Sequence, residues 1–284
     1  MKRLMLLFLC LALVFPMAAC DSDDNGGDAE KKFDPGYIVA SSLDVTGKTA
    51  TDDADGSHTG YKLEQFVEEA TLDSLLDRED KVDPTDAGTD LFALFHYCAV
   101  ASDFEPKDSS NFTGNLPWDE FKVAYYLYET DSTGVVVNKI YGTGLPGFQQ
   151  VKSPEKIKGY RVITVVSPDH GTTVVKVREL TPEKITYNKV KDGTTTYSDI
   201  YAYKLQQLFD KAGITNHANY EYTMTGIDGF MRTVDDWDKM KDAYYIPTHD
   251  GDNPKSDRIL VIQNGEAVNG TNASFVTSIR LTAK

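Results

Sequence analysis

The chain has 284 residues and a formal net charge of −15 at pH 7. An acidic surface repels phosphate backbones and anionic lipid, which argues against nucleic acid as a partner and against basic patches as a membrane anchor. Hydrophobic residues make up 40% and aromatic residues 11%, enough for globular cores at a length that suits two domains of ordinary size.

Lys2 and Arg3 give a positive start, Leu4 to Phe15 is an apolar run broken only by Cys10, and Pro16-Met17-Ala18-Ala19-Cys20 follows. A basic start, a short apolar core and small residues before a cut describe a secretory signal. The run is about 12 residues, short of the roughly 20 that span a bilayer as a helix. Met17-Ala18-Ala19-Cys20 resembles the lipobox of bacterial lipoproteins, with Met17 where leucine is commoner. That resemblance implies loss of residues 1–19, a diacylglyceryl group on the Cys20 thiol and a fatty acid, such as palmitate, on the new amino group. It also implies a place in the cell envelope, lipid-anchored at the periplasmic side or the cell surface. The other reading is an ordinary secreted protein cut nearby. Each buried acyl CH₂ is worth roughly 0.8 kcal/mol, so two or three chains hold stably. Loss of Lys2 and Arg3 makes the mature charge −15 − 2 = −17.

Residues 20–34 read as an acidic tether: Asp21 to Lys32 offers nothing apolar to bury and predicts disorder. Asp21 also resembles an inner-membrane retention signal of some bacteria. With Cys10 removed and Cys20 lipidated, Cys98 is the one remaining thiol, which excludes an intrachain disulfide and a cysteine-rich metal site.

Two stretches then repeat. Trp118-Asp119-Glu120-Phe121-Lys122-Val123-Ala124-Tyr125-Tyr126 recurs as Trp237-Asp238-Lys239-Met240-Lys241-Asp242-Ala243-Tyr244-Tyr245, identical at six of nine positions and offset by 119. Tyr61-Lys62-Leu63-Glu64-Gln65 and Ala70 match Tyr203-Lys204-Leu205-Gln206-Gln207 and Ala212 at an offset of 142. Downstream, Tyr160-Arg161-Val162-Ile163 aligns with Ile279-Arg280 at 119. The change of offset places 23 extra residues in the first copy, at about 71–90, an acidic turn-rich loop. The expected organisation is a first repeat domain over 35–172 and a second over 173–284.

Each copy predicts the same strand-rich α+β plan. A strand region (Tyr37–Val45; Lys184–Val190) precedes a helix marked by Leu63, Phe66, Val67 and Ala70, or by Leu205, Leu208, Phe209 and Ala212, with Gly213 as the closing residue. A strand follows (Phe92–Ala99; Tyr220–Thr225), then the Trp-Asp helix, opened by Pro117 in one copy and capped by Asp235 or Asp236 in the other. A closing hairpin is expected from Val135–Ile140 with Arg161–Val166, and from Arg258–Ile262 with Phe275–Leu281.

The second copy resembles the short bacterial form of the sulfite-oxidase-type molybdopterin-binding domain. The matching residues are Leu208-Phe209-Asp210-Lys211-Ala212-Gly213, Ile227-Asp228-Gly229-Phe230, Arg258-Ile259-Leu260-Val261-Ile262 and Val276-Thr277-Ser278-Ile279-Arg280-Leu281. The first copy shares Leu43-Asp44-Val45-Thr46-Gly47 and Asp103-Phe104. The resemblance implies two tandem sulfite-oxidase-like copies. It also implies that molybdenum, which catalytic members hold through a cysteine followed by Gly-Asn, would fall to Cys98 as ligand. Here Ala99 and Val100 follow Cys98, its counterpart in the second copy is Thr223, and Gln263 replaces the proline after the Arg-Ile-Leu-Val strand. The cofactor site therefore reads as degenerate, and no cofactor is expected.

Other chemistry is thin. His96 beside Cys98 is a titratable group in a strand. Asp52-Asp53-Ala54-Asp55-Gly56 fails the EF-hand template, which would put Thr51 at position 1 and Lys62 at position 12; Asp83, Asp86 and Asp90, or Asp250 with Asp252, could bind calcium weakly. Gly142 to Gly147 is a turn without a phosphate-loop lysine. Trp118, Trp237, Tyr125, Tyr126, Tyr244 and Tyr245 read as core packing at helical spacing rather than as a groove. The expected function is a lipid-anchored, non-catalytic binding module for a protein or small ligand. The alternatives are a molybdopterin oxidoreductase or its electron-transfer partner, and a calcium-dependent surface protein.

Overall fold

The computed structural model describes residues 40–52, 59–67, 91–101, 116–130, 132–133, 136–141, 153–190, 194–247 and 257–284. Cys20, the tether, the whole 71–90 insertion region, Asp103-Phe104, Gly142 to Gly147 and Asp250 with Asp252 lie outside them. Among the described residues strand dominates, at 55% against 17% helix. The first half contains β1 (Ala40–Ser42), β2 (Thr51–Asp52), β3 (Thr59–Lys62), β4 (Phe95–Val100), β5 (Leu116–Pro117), β6 (Tyr125–Thr130) and β7 (Val136–Tyr141). β8 (Lys156–Ser167) and β9 (Gly171–Lys176) follow, then β10 (Glu183–Val190), β11 (Thr194–Lys204), β12 (Tyr220–Gly226) and β13 (Met231–Val234). The chain ends with β14 (Ala243–Ile246), β15 (Arg258–Gln263), β16 (Glu266–Ala267), β17 (Ala273–Ser274) and β18 (Val276–Ala283). The helices are α1 (Trp118–Phe121), α2 (Leu205–Lys211) and α3 (Trp237–Met240).

Local patterns explain these elements. In β12, Tyr220, Tyr222 and Met224 are buried while Glu221, Thr223 and Thr225 face outward, the period of two that a half-buried strand requires. α2 buries Leu205, Leu208 and Phe209. It ends as the glycine predicts: Gly213 has φ +78, its N–H donates to Asp210 O at 3.0 Å, and Ile214 N–H donates to Phe209 O at 3.0 Å, a Schellman closure. Asp236 caps α3 by accepting from Lys239 N–H at 2.8 Å.

Several expectations are corrected. The first predicted helix is a single 3-10 turn over Leu63–Phe66, and Val67 is already extended. The Trp-Asp helices are one turn long, and the tyrosine pairs after them lie on strands β6 and β14. Neither closing hairpin forms: β7 pairs with β6 while β8 pairs with β4, and β15 pairs with β14 while β18 pairs with β12. Strand order depends on non-local contacts that local periodicity does not encode.

The matched segments nevertheless share their contacts. Tyr61 pairs with Tyr126 and Tyr126 with Ile140; Tyr203 pairs with Tyr245 and Tyr245 with Ile259. Gln65 brackets the backbone of Thr49, accepting from its N–H at 2.9 Å and donating to its O at 3.0 Å. Gln207 does the same to Thr181, at 2.7 and 2.9 Å. Tyr97 donates its hydroxyl to Phe92 O, five residues back, and Phe92 stacks on Trp118 at 4.7 Å. Tyr222 donates to His217 O, also five back, and His217 stacks on Trp237 at 4.1 Å. With Tyr97 matched to Tyr222, the strand registers match Lys158, not Arg161, to Arg280, an offset of 122.

The described residues belong to one compact unit with two main cores. One is built from Leu43, Leu63, Phe66, Tyr97, Trp118, Phe121, Tyr126 and neighbours. The other is built from Tyr203, Leu208, Phe209, Tyr222, Met240, Tyr245, Ile279 and neighbours. β8 serves both: its start pairs with β4, its end with β9 and, in parallel, with β18. The cores therefore meet within β8, where Ile157 joins the first and Ile163 and Val165 the second.

The second half also closes a ring of strand pairings, β14-β11-β10-β16-β15 and back to β14. Tyr187, Ile200, Ala202, Ile246 and Leu260 line a small core of their own there. Tyr187 stacks on Tyr197 at 4.9 Å, and burial pushes its hydroxyl pKa to about 12. The matching strands of the first half form the open sheet β2-β3-β6-β7.

Candidate functional site

The large sheet runs β13-β12-β18-β8-β4-β5, with β9 paired to β8. One side of it carries the two cores. The other side, across β13, β12, β18, β8 and β9, presents two rows of side chains in register. One row is Thr233, Thr223, Arg280, Val166 and Thr172; the next is Met231, Thr225, Ser278, Thr164 and Val174. All ten are half-buried or exposed. Thr223 and Thr233 share a hydrogen bond between hydroxyls at 3.0 Å. The surface is an array of hydroxyl and apolar groups about 20 Å wide at the usual strand spacing, with the guanidinium of Arg280 within it. Such a face offers shape and hydrogen-bonding groups, and Glu221 continues it along β12.

Sequence reasoning placed strands over Tyr220–Thr225, Arg161–Val166 and Phe275–Leu281 but missed this face. Thr223-x-Thr225, Thr164-x-Val166 and Ser278-x-Arg280 each carry the period-two signal; their adjacency follows from pairing between segments more than 50 residues apart.

Cys98 and His96 lie on β4, on the face opposite Tyr97 and Ala99. Cys98 is 1% exposed and clusters with Val100 and Tyr160, and the Arg178 guanidinium carbon lies 3.8 Å from the Tyr160 ring centroid. Thr223 occupies the matching outward position, opposite Arg280 as Cys98 is opposite Lys158. Among the described residues, no group of three or more His, Cys, Asp or Glu comes together that could hold a metal ion. Asp52 is on β2, where its carboxylate accepts from the Thr59 hydroxyl at 2.6 Å; the calcium candidates Asp83, Asp86, Asp90, Asp250 and Asp252 lie outside the described residues. Trp118, Tyr125, Tyr126 and Tyr245 are buried and Trp237 and Tyr244 half-buried, packing in cores rather than lining a groove.

A second constellation sits inside, between the cores. Arg161 donates Nε–H to Asp257 Oδ2 at 2.6 Å and an NH2 hydrogen to Val276 O at 2.6 Å, and its NH1 also bonds Val162 O. Tyr245 donates its hydroxyl to the same Asp257 oxygen at 2.7 Å. Burial works against the Arg161 charge, but Asp257 and Tyr245 together more than compensate and raise its pKa; burial together with Asp257 holds the Tyr245 hydroxyl well above its ordinary range. The group is fully enclosed, so it is a structural joint. Beside it, Phe275 adopts φ +48 and sends its ring into the first core while Val276 enters the second.

No known protein family, no curated protein and no solved structure matches this chain.

Proposed function

We propose that this is a lipid-anchored envelope protein that acts as a non-catalytic binding module, held at a bacterial membrane through Cys20 and presenting the open sheet face to a protein or small ligand. The finer reading of the fold, two tandem sulfite-oxidase-like copies with a degenerate cofactor site, belongs to the same proposal. Its support is the shared register of the matched segments and the burial of Cys98 beside Val100 and Tyr160.

The observation that carries the binding reading is this ten-residue face, half-buried to exposed among the described residues, on a sheet backed by two cores. Sheets with one face packed and one face bare use the bare face for solvent or for a partner, and here it carries an exposed Met231 and Val174.

Oxidative footprinting tests it, comparing the purified lipidated protein with the protein on intact envelopes. Protection of Met231 and of peptides spanning Thr223–Thr225 and Ser278–Arg280 on envelopes is the expected result. Equal oxidation in both settings would overturn the binding reading. Fatty-acid labelling of wild type against Cys20→Ser tests the anchor separately. Stoichiometric molybdenum and pterin in the purified protein would instead favour an oxidoreductase.

A further inference from the structure

β13 ends the large sheet: among the described strands it pairs with β12 alone. The bond from Gly226 N–H to Phe230 O, 2.8 Å, sets the phase of this pair. Antiparallel partners alternate between exchanging and not exchanging backbone bonds. Arg232 and Val234 therefore turn their N–H and C=O groups toward β12, and Met231 and Thr233 turn theirs to the open edge.

The hairpin before this edge is tightly built. Asp228 Oδ1 accepts from Phe230 N–H at 2.9 Å, and a Cβ on Gly226 would meet that oxygen at 2.8 Å and Ser274 O at 2.9 Å. The rigid tip holds out Phe230, 48% exposed, and Met231, 66% exposed. Exposed apolar edges are templates for strand addition unless charge, proline or a bulge blunts them. The one charge on β13 is Arg232. Its guanidinium lies 5.1 Å from the Phe230 ring centroid, and its Nε is buried without a hydrogen-bond acceptor. An arginine nitrogen taken from water with no acceptor is costly, and here it stands beside an open strand edge.

We propose that the β13 edge docks an extended, carboxylate-bearing segment of a partner polypeptide. The segment's main chain bonds Met231 and Thr233, and the carboxylate of the residue opposite Arg232 satisfies that guanidinium, since cross-strand neighbours share a face. The alternate side chains continue the open face past Met231. Strand addition supplies affinity through the backbone and selectivity through such alternate positions. This inference deepens the binding reading above and rests on it.

The test uses the mature lipidated protein in detergent and a blocked ten-residue peptide of alternating Val and Thr with one central Asp, with Asn and Lys twins. The Asp peptide is expected to bind saturably and the Asn twin about tenfold more weakly, as loss of one charge-assisted bond implies. Arg232→Gln should bring the Asp peptide down to the Asn level and leave the Asn peptide unchanged. Thr233→Pro removes an N–H that points away from β12 and, besides it, only the exposed hydroxyl bond to Thr223, so it should abolish binding of both peptides with a small change in melting temperature. If that variant fails to fold, amide exchange on wild type replaces it: Met231 and Thr233 amides should slow on adding the Asp peptide. Indifference to Arg232→Gln overturns the proposal. So does competition by free acetate at the peptide's own concentration, which would mean a carboxylate pocket without strand addition. So does absence of peptide binding alongside self-association that Thr233→Pro disrupts, which would assign the edge to a second copy of the chain. Envelope footprinting that still protects the open face would then leave the broader binding reading standing.

Discussion

Arg161 and Asp257, 96 residues apart in the chain, meet with Nε 2.6 Å from Oδ2 and side chains only 3% and 2% exposed. They join the two cores, because Arg161 sits on the strand both cores share and also bonds a carbonyl of β18. A buried pair of this kind is weak as net stabilisation but expensive to break on one side. Arg161→Met should lower the unfolding free energy by about 3–5 kcal/mol. Arg161→Met combined with Asp257→Leu should recover part of that loss. Urea denaturation followed by circular dichroism measures both, and equal destabilisation by the single and double variants would contradict the account.

His217 predicts a pH dependence that Trp237 can report. Burial lowers the His217 pKa below 6.5, with Asp210 opposing the shift. The unfolded chain therefore binds the proton more readily than the fold. Stability should fall as pH drops through 6.5 toward the depressed folded value, then level off. His217→Phe, the residue type that Phe92 supplies against Trp118, should remove that slope. In wild type, protonation should also change Trp237 fluorescence, since the imidazole stacks on that indole at 4.1 Å. The checks are denaturant midpoints at pH 7.5, 6 and 5 and an emission titration; a midpoint in His217→Phe that still tracks pH as wild type does would sink the assignment.

The paired glutamines should behave alike. Gln65→Ala and Gln207→Ala each remove two side-chain bonds to an exposed backbone segment. At a net value near 1 kcal/mol for a hydrogen bond, and less at an exposed site, each should cost about 1 kcal/mol. Amide exchange should quicken at Thr49 in the first variant and at Thr181 in the second. Exchange that stays slow at those two amides would show that the bracketing does not hold the segments.

Cys98 should be silent in the folded protein. Its side chain is 1% exposed among Val100 and Tyr160, so a thiol reagent should modify it only after unfolding. Cys98→Ala should leave the protein's behaviour on envelopes unchanged. Rapid labelling under native conditions would contradict the burial.

Much of the local structure was legible before any tertiary information. The Gly213 closure, the Asp236 cap, the alternation along β12 and the matched residues around the two tryptophans all follow from contacts within a few positions. The helix after Leu63 was not, because an apolar spacing shared with α2 says where a helix can pack and not how long it persists. The tyrosine pairs were misplaced for a related reason: one turn of α1 and α3 gives way at once to strands, where the same residues stay buried through a period of two.

The sequence by itself determined the acidic charge, the lipobox-like start, the strand-rich character and the repeated segments, since each is a matter of composition or short-range pattern. Only the tertiary structure decided that β8 is shared by two cores, that Arg161 finds Asp257, that ten alternating side chains line up across five strands, and that β13 is left at an edge. Those outcomes depend on which distant strands pair. An isolated strand carries the same backbone donors and acceptors on both sides, so its own residues do not name its neighbour.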